Sequence, residues 1–507
     1  MPDAHAASAI AVQERPVIRA DAAGVVAEAP AAETQPLPRL AEGQEAYDVA
    51  IIGAGPGGYV AALRGRQLGL SVALIESGAP GGACLNVGCI PTKAMLASIE
   101  ALAIARRGKE FGFTAGEVAP DYPAMVKRRD RIVAQLGKGV ELLLASAGVA
   151  VVRGRARFRS ARVLEVMGDD GPQDVSATNV IIAAGSHPAS PPIPGVELDG
   201  VVSSDDLLRL PAPPQRLAIV GGGAVGVEWA QIFGELGAAI QIFEMMEHLL
   251  PPADAEIAAE LERLFQRRGY RVHCSAMVRG IEKADDGLCV RFSTPQGGDQ
   301  ETAADVVLVA TGRRANTADL GLDEIGISLD HHTIPVNERM ETRVPGIYAI
   351  GDVVSGLQLA HVAAREGEVA IENIAGHEAR IDYRAIPSCV YTSPGIAWVG
   401  LTEDEARKER EGVQIGAFPF RALGKSVVDG HRDGMVKVIV DPHYGEILGV
   451  HMIGHGVTDL ISEAVLAMSA ECTTQELIAA VHPHPTLSEA LHEAALDVWN
   501  RAIHKPG

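Results

Sequence analysis

The chain has 507 residues, a length that predicts three or four domains rather than one core. Its composition, 47% hydrophobic with 55 glycines, reads as a globular α/β protein with many tight turns. A formal net charge of −21 speaks against nucleic acid or an anionic membrane as partner, while leaving a basic protein partner open.

Residues 1–46 are rich in Ala and Pro without periodicity and read as a flexible arm. They lack a basic segment followed by an apolar one, and no run of ~18 apolar residues is found in the chain, so no secretory signal and no membrane span are read. Cytoplasm is the expected compartment. From Tyr47 the pattern changes. Residues 49–52 form a short apolar strand, Gly53, Gly55 and Gly58 form a glycine turn, a helix runs to about Leu68, and a second strand over 71–75 ends at Glu76. Glycines at this spacing allow a tight turn, close approach of the backbone to a pyrophosphate and close helix packing. The helix N-terminus favours the anion, and Glu76 is placed to accept a ribose hydroxyl.

Cys84 and Cys89 follow, five positions apart. In a regular helix that spacing is a rise of about 7.5 Å, whereas disulfide Cα atoms lie roughly 4.4–6.8 Å apart, so a bond here needs a distorted turn. Asn86 and Gly88 are the residues to make it. Six cysteines are too few for a disulfide scaffold, so in a reducing compartment this pair reads as redox-active. Cys274, Cys289, Cys389 and Cys472 read as buried free thiols.

Residues 94–147 read as helical, with Met125, Ile132, Leu136, Val140 and Leu143 at helical spacing and Lys127-Arg128-Arg129 as a solvated face. A strand is expected over 179–183 and a proline-rich linker over 188–194. Then the opening repeats: a strand over 217–220, a turn with Gly221, Gly223 and Gly226, a helix over 227–236, and a strand over 239–243 ended by Glu244. The two turns start 168 residues apart, which reads as a duplicated nucleotide unit. An acidic Glu244 accepts ribose hydroxyls and repels a 2′-phosphate, favouring NAD over NADP. Short strands resume after Gly312. From about Ile386 a segment of strands and two helices runs to the C-terminus. His331 and His332 read as an exposed turn and His482 as structural, while His451 and His455 receive no role. No residues are assigned to a metal.

The stretch Cys84-Leu85-Asn86-Val87-Gly88-Cys89-Ile90-Pro91-Thr92-Lys93 resembles the signature of class I pyridine nucleotide-disulfide oxidoreductases. His482-Pro483-His484-Pro485-Thr486-Leu487-Ser488-Glu489 is similar to the form found in the dihydrolipoamide dehydrogenases of 2-oxo acid dehydrogenase complexes. The resemblance runs from about Tyr47 to the C-terminus. It implies an α/β fold with two Rossmann-like dinucleotide-binding domains, for FAD and NAD, plus an α+β C-terminal dimerisation domain. The corresponding boundaries are 47–190 (FAD-binding), 191–321 (NAD-binding), 322–385 (a central domain completing the FAD site) and 386–507 (dimerisation).

The same resemblance implies site residues. For FAD these are Gly53, Gly55, Gly58, Glu76, Lys93, Gly154, Ala184, Gly185, Ser186, Asp352, Leu359, Ala360 and His361. For NAD they are Gly221, Gly223, Gly226, Glu228, Glu244, Val278 and Gly312. Cys89 is implied to face the flavin as the charge-transfer thiolate, and Cys84 to exchange with dihydrolipoamide. A thiolate is the active species in exchange, so a base is needed: His484, oriented by Glu489. Lys93 is implied to lie beside the flavin, paired with Glu228. His484 is implied to reach the disulfide of the other subunit, which makes a homodimer obligatory. The implied partner is the acyltransferase of such a complex, through its lipoyl and peripheral subunit-binding domains. Ala83, Thr92, Ala184 and Gly395 depart from the common family residues, and Gly395 bears on an interface contact. Two other readings stand beside this one. A glutathione- or mercuric-reductase-like enzyme is opposed by Glu244 and by the lack of a cysteine pair after Cys472. A mainly docking or scaffold subunit would fit the acidic charge.

Overall fold

A computed structural model describes residues 46–295 and 297–505. The arm expected over residues 1–46 lies outside them but for Ala46. The first sheet begins with short runs of Val, Ile and Ala that are buried on both faces, the pattern of parallel strands. Its parallel part runs in the order Ala150–Arg153, Val72–Glu76, Tyr47–Ile52, Gly171–Ile182, Ile347–Ala349. The strand expected over 179–183 is only the last third of Gly171–Ile182. Its first part leaves the parallel layer and pairs antiparallel with Val163–Gly168, which pairs in turn with Arg155–Ser160.

The second sheet repeats this plan. Arg271–His273, Ala239–Phe243, Arg216–Val220, Val306–Val309 and Val201–Val202 are parallel in that order. Met277–Ala284, Gly287–Thr294 and Gly298–Ala304 form a separate antiparallel layer. The duplication read from two glycine turns therefore extends to whole sheets. The chain enters and leaves the second unit through two short strands, Ser186–Pro188 and Arg313–Ala315, which pair with each other.

A third, antiparallel sheet orders Ser388–Val390, Gly395–Gly400, Ile447–Gly454, Met435–Val440 and Gln414–Pro419. It packs on Val457–Ser469 and Glu489–Asp497 around a core that includes Phe418, Phe420 and Met452. Among the described residues five helices, not two, follow residue 386. Glu403–Glu409 and Thr474–Ala479 are too short to show periodicity. Each is opened by a capping box, Thr402 with Glu405 and Thr473 with Glu476, and that was the legible signal.

The helical expectation over 94–147 also needs correction. Cys89–Arg106 and Tyr122–Ser146 are separate helices, and Asp121 caps the second by accepting from the Ala124 amide at 3.0 Å. Of Lys127, Arg128 and Arg129, read as a solvated face, only Lys127 is exposed. Arg129 is buried and donates to the Leu208 carbonyl at 2.7 Å, and Arg128 donates to the Ala94 carbonyl at 2.8 Å. Guanidiniums reaching the carbonyls of neighbouring segments explain the burial. The four outlying cysteines are half-buried rather than buried. By length and composition alone Gly82–Arg106 is apolar enough to cross a membrane, although Lys93 and Glu100 interrupt it, so the reading of no continuous apolar run stands. It is broken at Val87–Gly88, and Met95 and Ile99 pack into the core shared with Trp229 and Phe233, so it is a core element of this fold.

Candidate active site

The glycine turns are built alike. Gly53 has φ +104 and Gly221 φ +108; a Cβ there would lie 2.3 Å from the Ala183 carbonyl oxygen and 2.4 Å from that of Ala310. A Cβ at Gly58 would sit 1.8 Å from the Gly53 oxygen, and one at Gly226 2.1 Å from the Gly221 oxygen. First and third glycines are thus demanded by the turn itself. The middle ones are not: Gly223 would meet nothing within 4 Å and Gly55 only the Gly82 Cα at 3.9 Å. Bare backbone at a helix N-terminus with open space before it is a cradle that fits the pyrophosphate of a dinucleotide.

The two acidic residues also match. Glu76 accepts the Ala54 amide at 2.7 Å and the Gly78 amide at 2.7 Å; Glu244 accepts the Gly222 amide at 2.6 Å and the Met246 amide at 2.8 Å. Each carboxylate ties a strand end to its glycine turn and keeps lone pairs for a diol. Gly154 donates its amide to the Glu76 carbonyl at 3.0 Å, and Ala276, two before Val278, donates to the Glu244 carbonyl at 2.8 Å. Gly154 and Ala276 therefore flank their acidic residues, and Val278 lies two positions on, in the strand Met277–Ala284.

The cysteine segment lies directly on the first turn. Gly81 and Gly82 have φ +100 and +59, and a Cβ on Gly82 would stand 2.6 Å from the Gly55 Cα. The Gly81 amide donates to the Ala54 carbonyl at 2.7 Å. Sequence reasoning gave these two glycines no role; their adjacency to the cysteines was the available signal. Cys84 sits in the helix Gly82–Asn86, Val87 and Gly88 break it, and Cys89 opens Cys89–Arg106. Asn86 holds the break, donating to the Gly82 carbonyl at 2.9 Å. The distorted turn expected from the spacing is thus present, and the two free thiols hydrogen-bond to each other.

The pair shares its proton unequally. The hydrogen bond from Cys84 pulls the Cys89 thiol down to about 7, burial opposes it, and the Lys93 ammonium adds to it. The same hydrogen bond, then burial, pushes Cys84 strongly up. Negative charge therefore resides on Cys89, which also stands at a helix N-terminus. Lys93, one turn on, meets Glu228 at 2.9 and 2.8 Å. Glu228 is buried on Ala224–Glu235, the helix opened by the second glycine turn. Tyr391, which the sequence reading did not single out, lies against this pair.

A second cluster gathers residues far apart in sequence. Ser186 donates to Asp352 through its hydroxyl, and Arg313 donates to the Ser186 hydroxyl at 2.7 Å and the Ser186 carbonyl at 2.7 Å. Ala184 and Gly185 join through Asn316, whose side chain donates to the Ala184 carbonyl at 2.9 Å and whose amide donates to Gly185 at 2.9 Å. Gly312, with φ +114 and open space at its Cβ, lies beside Arg313. Sequence reasoning missed Arg313 and Asn316, although an arginine directly after that glycine was visible. Leu359 caps the helix Ala360–Ile374, and His361 contacts the Pro387 carbonyl at 2.8 Å. The buried Glu366 accepts the Gly351 amide at 2.6 Å beside Asp352.

His484 and Glu489 form a dyad, Nδ1 to Oε1 at 2.8 Å, with the Thr486 amide on the other carboxylate oxygen at 2.9 Å. Burial works to raise the Glu489 carboxyl, but the Thr486 amide and His484 hold it below the usual range. With Nδ1 engaged, His484 offers Nε2, and its side chain is 77% exposed. Among the described residues, no hydrogen bond or ion pair of this single chain joins the dyad to Cys84 or Cys89. His482 is structural, bonded to Glu463 at 2.8 Å, and His331 and His332 are exposed in a turn, as read.

The model of the pyridine nucleotide-disulphide oxidoreductase family matches residues 47–367, and that of its dimerisation domain matches residues 386–495. A dihydrolipoyl dehydrogenase of Bacillus subtilis is 41% identical over 472 residues, covering 90% of this chain and 99% of its own length. One of Thermus scotoductus is 44% identical over 462 residues, covering 90% and 98%. The crystal structure of LpdA from Mycobacterium tuberculosis superposes with a TM-score of 0.81 at 28% identity, covering 88% of this chain and 98% of its own. The flavoprotein disulfide reductase RclA of Escherichia coli gives 0.78 at 27% identity, covering 89% and 99%. With paired glycine turns, a redox dithiol and both family models in register, this chain belongs to the pyridine nucleotide-disulphide oxidoreductase family.

Proposed function

We propose that this protein is an NAD-dependent dihydrolipoyl dehydrogenase, working as a homodimer. The observation that carries the reading is the dithiol whose proton sits on Cys84 and whose charge sits on Cys89, beside Lys93 and Glu228 and between two dinucleotide cradles.

In the oxidised enzyme Cys84 and Cys89 are joined. His484 takes a proton from one thiol of dihydrolipoamide, and the resulting thiolate attacks the Cys84 sulfur. Cys89 departs as a thiolate, a good leaving group because its pKa is low. The second substrate thiol then displaces Cys84 from the mixed disulfide, its proton passing to the leaving Cys84 while His484 keeps the first. Lipoamide leaves as a disulfide, and the enzyme holds two electrons in its dithiol. FAD at the first glycine turn would supply the acceptor for that electron pair and NAD at the second its final carrier, and His484 gives up the proton it holds. Gly53, Gly55, Gly58, Glu76, Gly154, Ser186 and Asp352 would hold the flavin. Gly221, Gly223, Gly226, Glu244 and Val278 would hold NAD, with Glu244 disfavouring a 2′-phosphate.

Its partner in this reading is the acyltransferase of a 2-oxo acid dehydrogenase complex. A chain of net charge −21 suits a basic subunit-binding domain. A cytoplasmic setting, where its other thiols stay reduced, fits this chemistry. The experiment is NADH formation from dihydrolipoamide and NAD by the FAD-loaded protein. Activity should fall about a thousandfold or more in Cys84→Ser. Reduction of glutathione disulfide with NADPH in place of this reaction would reject the assignment.

A further inference from the structure

Tyr391 follows the strand Ser388–Val390 of the C-terminal unit, yet it touches groups from the other two units. The Lys93 ammonium lies 4.6 Å from its ring centroid. Its backbone amide donates to Glu228 Oε1 at 2.9 Å. Two residues later the Ser393 amide donates to Gln231 Oε1 at 2.7 Å, on the next turn of the Glu228 helix. The segment is thus stitched to that helix at two points, with the ring set over the ion pair.

We propose that Tyr391 is a positioning residue of the redox centre, its ring and backbone amide holding the Lys93 ammonium and the Glu228 carboxylate together beside Cys89. A lysine has a flexible four-carbon stem, and one carboxylate leaves it several rotamers. An aromatic face attracts the ammonium and removes water from one side of it. The field of Lys93 at the Cys89 sulfur is then less screened. The titratable groups around Tyr391 agree with this placement: burial raises its hydroxyl, and Cys389, Glu228, Asp459 and Cys89 raise it further. The proposal rests on the reading of Cys89 as the flavin-facing thiolate.

The test is a pH titration of the long-wavelength thiolate–flavin absorbance in dithiol-reduced holoenzyme. In Tyr391→Leu and in Tyr391→Met, an unbranched replacement in case leucine costs the flavin, water replaces the ring. The midpoint should rise by about half a pH unit or more. Tyr391→Phe keeps ring and amide and should return the midpoint to that of the wild type. If the Leu and Met variants, with flavin bound and dimer intact, titrate like the wild type, the proposal falls; it falls too if Phe shifts as far as Leu. Absence of the absorbance in the wild type would overturn the assignment of Cys89 and this proposal with it.

Discussion

An ordinary thiol is mostly protonated at neutral pH and exchanges slowly. Cys89 escapes this because Cys84 donates a hydrogen bond to it and Lys93 lies one turn along the helix that Cys89 opens. Its pKa near 7 sets a sign for the optical behaviour of the reduced enzyme. Above about 7 the thiolate and its long-wavelength absorbance persist; as pH falls through that value the thiol re-forms and the absorbance fades. A spectrophotometric titration checks this, and a midpoint near an ordinary thiol value of about 8.5 would contradict it. The cysteine motif announced this chemistry in the sequence because its spacing is rare and local. Tyr391 and Asn316 were not legible, since each acts on residues more than a hundred positions away. The half-buried Arg128 and the buried Arg129 were misread because a run of charges shows no sign of the carbonyls it will meet.

The glycine turns separate two roles that one motif conceals. Gly58→Ala places a Cβ against the Gly53 carbonyl and should cost the first unit its fold and its flavin. Gly223→Ala meets no protein atom within 4 Å. It should leave thermal stability nearly unchanged while raising the KM for NAD about tenfold or more, because the lost contact is with the ligand. Melting curves and NAD saturation kinetics distinguish the two, and equal destabilisation by both would remove the argument for an open cradle. The parallel strands and both turns could be read from apolar runs ended by Gly and Glu. The antiparallel layers could not. Arg155–Ser160, for example, is mostly polar and exposed, and buries only Ala156 and Phe158. Tyr122–Ser146 was joined to its predecessor because the break between them carries no apolar pattern to contradict a helix, although Asp121-Tyr122-Pro123 was a start signal.

Across the whole molecule, the second unit and the C-terminal sheet are locked by buried charge. Lys437 meets Asp254 at 2.9 Å, Glu403 at 2.7 Å and Glu256 at 3.2 Å, and Lys437 and Asp254 have side chains only 3% exposed. Asp254 also caps Ala255–Arg267 and accepts the Glu403 amide at 3.1 Å. Lys437→Met leaves those carboxylates without their cation and should cost about 3–5 kcal/mol in guanidinium unfolding. A loss under about 1 kcal/mol would show the cluster to be incidental. The exposed His484–Glu489 dyad, with no link to its own chain's cysteines, predicts a second result at this scale. A mixed dimer of Cys84→Ser and His484→Gln subunits has one site with both groups intact if sites are shared, and should keep about half the wild-type rate. An inactive mixed dimer would place each site within one subunit.

The most direct measurement follows the two sulfurs themselves. Denaturing alkylation and mass spectrometry of the oxidised holoenzyme should find Cys84 and Cys89 joined and unreactive. Anaerobic addition of one equivalent of dihydrolipoamide should make both alkylatable, and subsequent NAD should close the disulfide again as NADH appears. Cysteines that stay alkylatable in the oxidised enzyme, or that dihydrolipoamide and NAD leave unchanged, would contradict the proposed relay.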